Sequence, residues 1–159
     1  MNCPTDIILV LDASDSVGSG NFSLLKSFVS EFVRGLDIDG GNTRIGIIIY
    51  GSSVAESFSL NEYSSIFSIL SAIFSLSYAG GTTNTAVAFE FVRTTMLTSA
   101  AGDRSNVSNV VIHVTAGQSD DASLTAVSVS SRLYTKTACS NSNNNSNNNN
   151  NNNYYYYYY

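Results

Sequence analysis

Three oxygen-bearing side chains alternate along one short run, Asp12-Ala13-Ser14-Asp15-Ser16. In an extended turn, alternate residues project to the same side. Asp12, Ser14 and Ser16 therefore bring one carboxylate and two hydroxyls to a common point. Hard divalent cations such as Mg²⁺ take oxygen donors in an octahedral array and leave several positions to water. A hydroxyl from another loop would extend the set. So little protein charge leaves a bound cation electrophilic, so an acidic group on a partner can complete its shell. The competing reading is that these side chains only cap the turn that follows.

Other chemistries find no support. An EF-hand loop starting at Asp12 would need Gly at its sixth position and Glu at its twelfth, where Val17 and Ser23 stand. A phosphatase-like pair of aspartates fails because the residue two beyond Asp12 is Ser14. No Gly-x-Ser-x-Gly elbow, phosphate-binding Gly-Lys-Ser/Thr loop or Cys-x-x-Cys pair occurs. His113 is the only histidine and falls inside an apolar run, which predicts a packed core residue rather than a ligand. The chain reads as a non-enzyme.

These residues need a frame. Ile7-Ile8-Leu9-Val10-Leu11 is a continuous apolar run, as expected of a strand buried on both faces of a parallel sheet. Gly18-Ser19-Gly20-Asn21 predicts a loop and N-cap, and Phe22, Leu25, Val29, Phe32 and Leu36 then recur at helical spacing. Further strands are predicted over 45–50, 55–60 and 110–115. Ile66, Leu70, Ile73 and Phe74 mark a second helix. The Gly80-Gly81-Thr82-Thr83 loop opens a third, with Ala88, Phe89, Val92 and Met96 inward. A last, weak helix is predicted over 122–133. Core packing accounts for most of Phe22, Phe28, Phe32, Phe67, Phe74, Phe89 and Phe91. This alternation predicts an α/β fold: a doubly wound, mostly parallel sheet flanked by helices. Ligands bind such sheets beyond the carboxyl ends of the strands, where Asp12, Ala116 and the Thr82-Thr83 loop all fall.

Asp12-Ala13-Ser14-Asp15-Ser16, Gly80-Gly81-Thr82-Thr83-Asn84-Thr85 and Thr115-Ala116-Gly117-Gln118-Ser119-Asp120-Asp121 together resemble the von Willebrand factor type A (VWA, or integrin I-like) family over residues 3–133. The resemblance implies a Rossmann-like fold and a metal-ion-dependent adhesion site, built on Asp-x-Ser-x-Ser, a loop threonine and a strand-end aspartate. Carried over, the metal ligands are Asp12, Ser14, Ser16 and Thr83. The implied cofactor is a weakly held Mg²⁺, with Mn²⁺ or Ca²⁺ as substitutes. The implied function is protein–protein adhesion through the strand-edge loops, with an extracellular matrix or collagen-like partner and an extracellular, secreted location. This chain departs from the family in three ways. Ala116 replaces the strand-end aspartate, and a methyl group cannot bind a cation. Asp15 replaces a glycine, and a side chain between two alternating ligands points away from them. The family's far-edge elements are missing after Asp121, so the domain, residues 3–139, looks truncated and leaves an open sheet edge. A metal-independent scaffold, an intracellular assembly subunit and a non-functional fragment are the alternatives.

Residues 140–159 are a low-complexity Asn/Ser/Tyr tail, expected to be disordered. Net charge is −5 with no basic cluster, so nucleic acid is not an expected partner. No apolar run nears the ~20 residues that cross a bilayer, so membrane insertion is not expected. No signal peptide is visible at the start. Cys3 and Cys139 bracket the folded segment, either as a disulfide in an oxidising compartment or as two unrelated thiols. Asn21 and Asn106, with Asn144 in the tail, head N-x-S sequons that matter if the chain is secreted.

Overall fold

A computed structural model describes residues 3–115 and 154–158 of the chain. The elements run β1 (Thr5–Asp12), α1 (Gly18–Arg34), β2 (Thr43–Tyr50), β3 (Val54–Phe58), α2 (Ile66–Ser75), α3 (Thr85–Phe91), β4 (Ser108–Thr115) and β5 (Tyr154–Tyr158). A wider π turn, Val92–Met96, prolongs α3. The sheet order is β3-β2-β1-β4-β5. All pairings are parallel except β2–β3, as the apolar runs predict.

β1 is the central strand, and its residues from Asp6 to Asp12 are all buried. Its two faces build two cores. Ile7, Leu9 and Leu11 pack under α1 and α2, against Val29, Val33 and Ile69. Ile8 and Val10 pack under α3, against Ala88, Phe89 and Val92. Each such aliphatic side chain contributes about 1.5–3 kcal/mol on burial. The helices therefore clamp the sheet from both sides and fix where β1 ends.

Three details differ from the periodicity. α1 begins at Gly18, so Asn21 lies inside the helix, where its amide donates to the Val17 carbonyl at 2.9 Å. The loop between β1 and α1 is instead only residues 13–17. α2 turns Ile69 and Ile73 to the sheet, which leaves Phe67 and Phe74, seven residues apart, on the opposite face at 81% and 83% exposure. Core packing does not account for those two aromatics. Finally, Tyr154–Tyr158 lies parallel to Val111–Thr115 and pairs with the outer edge of β4. Composition offers the tyrosine run no partner, but a free strand edge does, and tyrosine favours extended backbone. The helix predicted over 122–133, Ala116 and Cys139 lie outside the described residues. Cys3 is disulfide-bonded.

At the amino ends of the strands, Asp6 is fully buried and Arg104 covers it. The guanidinium donates to Asp6 Oδ1 at 2.8 Å and to the carbonyls of Gly41, Asn42 and Thr5 at 3.0–3.2 Å. The Arg104 amide donates to Asp6 Oδ2 at 2.9 Å. One side chain thus ties the starts of β1, β2 and β4. Arg104→Ala would strand a buried carboxylate, and we expect a loss of about 3–5 kcal/mol, read as a lowered urea midpoint. Arg104→Lys should recover only part of it, because an ammonium lacks the planar fork.

Candidate metal centre

At the opposite end of β1, Asp12 closes the strand beside Tyr50, its register partner on β2. Three backbone hydrogen bonds then lock the β1–α1 loop to its neighbours. Ala13 N–H donates to the Tyr50 carbonyl at 2.8 Å, Gly80 N–H to the Ala13 carbonyl at 2.8 Å, and Asp15 N–H to the Gly81 carbonyl at 2.9 Å. Gly80 and Gly81 have φ of +71° and +81°, a left-handed backbone that glycine adopts freely. That turn aims Thr83 at the β1–α1 loop just before α3 begins, while Asn84 caps α3 by accepting from the Val87 amide.

The result is a triangle of hydroxyls. Ser14 Oγ lies 2.8 Å from Ser16 Oγ and 2.8 Å from Thr83 Oγ1, and Ser16 Oγ lies 3.1 Å from Thr83 Oγ1. Ser14 and Thr83 are buried and Ser16 is exposed, so the triangle opens to solvent at one vertex. Below it sits the Asp12 carboxylate, fully buried. Its Oδ1 accepts the Ser14 amide at 2.9 Å and its Oδ2 accepts the Thr115 hydroxyl at 2.6 Å. Among the described residues no ion pair reaches Asp12. The structure thus brings together Asp12, Ser14, Ser16 and Thr83.

The set fits a small divalent cation on two counts. A buried carboxylate without a counter-ion is costly, and a cation at the triangle would supply one. Three mutually adjacent ligands of an octahedral ion at ~2.1 Å lie about 3.0 Å apart, close to the spacings here. Asp15 does not join them: it is exposed, and its Oδ1 accepts from the Tyr78 hydroxyl at 3.1 Å. Thr85, the other hydroxyl of the Thr-x-Thr pair, turns the opposite way, 3.0 Å from the Tyr50 hydroxyl. Among the described residues there is no cluster of three His, Cys, Asp or Glu side chains, so the chemistry available is that of hydroxyls around one carboxylate. Of the other named candidates, Asn21 sits on α1 and Asn106 in an exposed turn before β4.

Residue-by-residue reading overlooked the floor of the site. The Tyr50 hydroxyl lies 2.7 Å from His113 Nε2, and Phe89 packs edge-on against the imidazole. Tyr50 and Thr115 are the last residues of β2 and β4, the strands that flank β1. Only the sheet order shows that these strand ends meet Asp12. His113 is a packed core residue, as its apolar setting suggests, but it is polar-bonded as well.

A β-carbon on Gly51 would run into the Gly80 carbonyl oxygen. Gly51→Ala should therefore push the Thr83 loop off the β1–α1 loop and cost about 1–3 kcal/mol, visible in denaturant melts. Burial pushes the His113 imidazole down to about 4, from an ordinary 6.5, against a smaller upward pull from Asp12. The unfolded chain then binds the proton that the folded one refuses. The contribution of neutral His113 is whole above pH ~6.5 and is lost as pH falls towards 4, about 3 kcal/mol in all. Urea melts across that range should show wild type losing more stability than His113→Gln by about that amount.

The site has close parallels. The chain matches the von Willebrand factor type A domain over residues 6–152. It is 35% identical over 120 residues to the collagen alpha-4(VI) chain of Mus musculus, a match covering 74% of this chain and 5% of that one. It is 36% identical over 122 residues to matrilin-1 of Bos taurus, covering 75% of this chain and 22% of that one. The chain thus spans less than a quarter of the length of either relative. Proximal thread matrix protein 1 from the mussel byssus superposes with a TM-score of 0.69 at 26% identity, covering 75% of this chain and 32% of that one. Another structure of that protein, with a zinc-occupied MIDAS motif, superposes at 0.66 with 27% identity, covering 75% and 30%. A mixed sheet with helices on both faces, strand-end loops converging on Asp12, and these matches agree: the chain belongs to the von Willebrand factor type A domain family.

Proposed function

We propose that this domain is an extracellular adhesion module of matrix type, which grips a protein partner through the loops at the carboxyl edge of its sheet. The hydroxyl triangle of Ser14, Ser16 and Thr83 above the buried Asp12 carries this reading. Its spacing suits Mg²⁺ or Mn²⁺ better than Ca²⁺, whose longer bonds would spread adjacent ligands to about 3.3–3.7 Å. The two serines and Thr83 would hold the ion, and Asp12 would balance part of its charge. A bound cation would offer the partner's carboxylate an open coordination position. The relatives' matrix names and the disulfide at Cys3 both favour an oxidising, extracellular setting, with Cys139 as the partner cysteine. No helix among the described residues is long and apolar enough to cross a membrane.

A second reading is a domain that binds its partner without metal. Two observations favour it. The three hydroxyls already satisfy one another, and Ala116 stands where the family's aspartate would add a second carboxylate.

Calorimetric titration with MgCl₂ and MnCl₂ separates the two. The metal-bridged reading expects one equivalent taken up at millimolar concentration. It also expects Ala116→Asp to tighten uptake roughly tenfold or more, since ligand charge sets affinity at such sites. No uptake by wild type, together with matrix-protein capture that survives EDTA, would sink the metal bridge and leave the metal-free scaffold.

A further inference from the structure

We propose that Asn106 carries an N-linked glycan and that Asn21 stays bare, so that carbohydrate stands at the end of the sheet remote from the candidate metal centre. The inference rests on the extracellular reading above, since sequons are modified in secreted chains.

Both residues head an N-x-S sequon, Asn21-Phe22-Ser23 and Asn106-Val107-Ser108. The sugar comes from a lipid-linked oligosaccharyl pyrophosphate. A bond forms between the asparagine Nδ2 and the sugar C1, the C1–oxygen bond breaks, and the pyrophosphate leaves with the amide proton. The amide and the hydroxyl two residues on are read together, so local conformation decides which sequon can present the pair. Asn106 is exposed, and no described residue binds its side-chain amide. It takes the third position of a turn closed by the Val107 amide, which donates to the Arg104 carbonyl at 3.0 Å. The chain then straightens into β4 with alternating burial. Val107 and Asn109 are buried, whereas Ser108 and Val110 are half-buried. Residues two apart share a side in such a run, so Ser108 stands on the outward side with Asn106.

Asn21 is placed the opposite way. It lies on α1, where each residue turns by about 100° from the last, so Asn21 and Ser23 diverge by about 200°. Each is also tied along the helix: the Asn21 amide donates to the Val17 carbonyl at 2.9 Å, and the Ser23 hydroxyl to the Ser19 carbonyl at 3.2 Å. Asn21 borders an apolar cleft of about 310 Å³, lined by Val17, Leu24, Leu25 and Phe28, that reaches Asp12. Carbohydrate there would shadow the loops proposed to grip a partner. Asn106 instead precedes β4, whose far end, Thr115, bonds to Asp12. The eight residues of β4 span about 26 Å. A glycan on Asn106 therefore sits at the closed amino edge, beside the Arg104 tie, and leaves the carboxyl edge clear.

Site occupancy in the full chain tests this. The chain carries Asn144→Gln, so that only these two sequons report, and a cleavable leader takes it through the secretory pathway of cultured animal cells. Treatment with a peptide N-glycosidase should speed its migration on a gel by the equivalent of one glycan. That shift should vanish in Asn106→Gln and in Ser108→Ala and persist in Asn21→Gln, and peptide mass spectrometry should place the modification on Asn106. A glycan found on Asn21, or a secreted chain bare at Asn106, would overturn the proposal. A chain modified at Asn106 behind the leader but bare when isolated from its natural source would overturn the extracellular reading, and the native glycan with it.

Discussion

A carboxylate with no exposed surface ends the central strand, and no cationic side chain among the described residues pairs with it. Everything around Asp12 is arranged to make that tolerable. An isolated buried charge would cost several kcal/mol, so its oxygens must be met by fixed donors. The Ser14 amide meets one because the chain turns immediately after β1. The Thr115 hydroxyl meets the other because β4 runs parallel to β1 and stops at the same level. Without β4 beside β1, Asp12 would lose the Thr115 hydroxyl.

The two ends of the sheet solve the same electrostatic problem differently. At the amino edge Asp6 is equally buried, but the Arg104 guanidinium neutralises it and spends its other donors on backbone carbonyls. That end is closed, with charge matched and donors used. At the carboxyl edge the partners of Asp12 among the described residues are neutral dipoles, which solvate the charge without cancelling it. Residual negative potential is therefore concentrated at the edge where the loops open to solvent. The contrast explains why one buried aspartate reads as a structural tie and the other as the base of a candidate site.

How much of this was legible in the sequence depends on the range of the signal. The apolar run of β1 and the alternation of Asp12, Ser14 and Ser16 are local, and they indicated both the central strand and the loop that leaves it. Thr83 lies nearly seventy residues from Ser14 and was reached through the resemblance of three motifs, with the glycine pair before it supplying the turn. Tyr50 and His113 carry no local signal of a polar role, because each sits in an apolar run that reads simply as core. Their part emerges only when parallel register sets Tyr50 beside Asp12. The exposed Phe67 and Phe74 misled for the converse reason. α2 has serines as its only polar residues, so periodicity could not say which apolar side faces the sheet.

Charge also links the proposed cation to the proposed partner. A divalent ion above one carboxylate retains about one unit of positive charge, whereas a second aspartate at position 116 would cancel it. The site as built would hold the ion weakly when alone and more firmly once an acidic side chain from outside completed the neutralisation. Coupling of this kind is reciprocal: whatever the partner adds to the affinity for metal, the metal adds to the affinity for the partner. On that reading the alanine shifts part of the cation's stabilisation from the domain to its ligand. A rigid floor then matters more, because with a single carboxylate no second anionic group can compensate if Asp12 turns away.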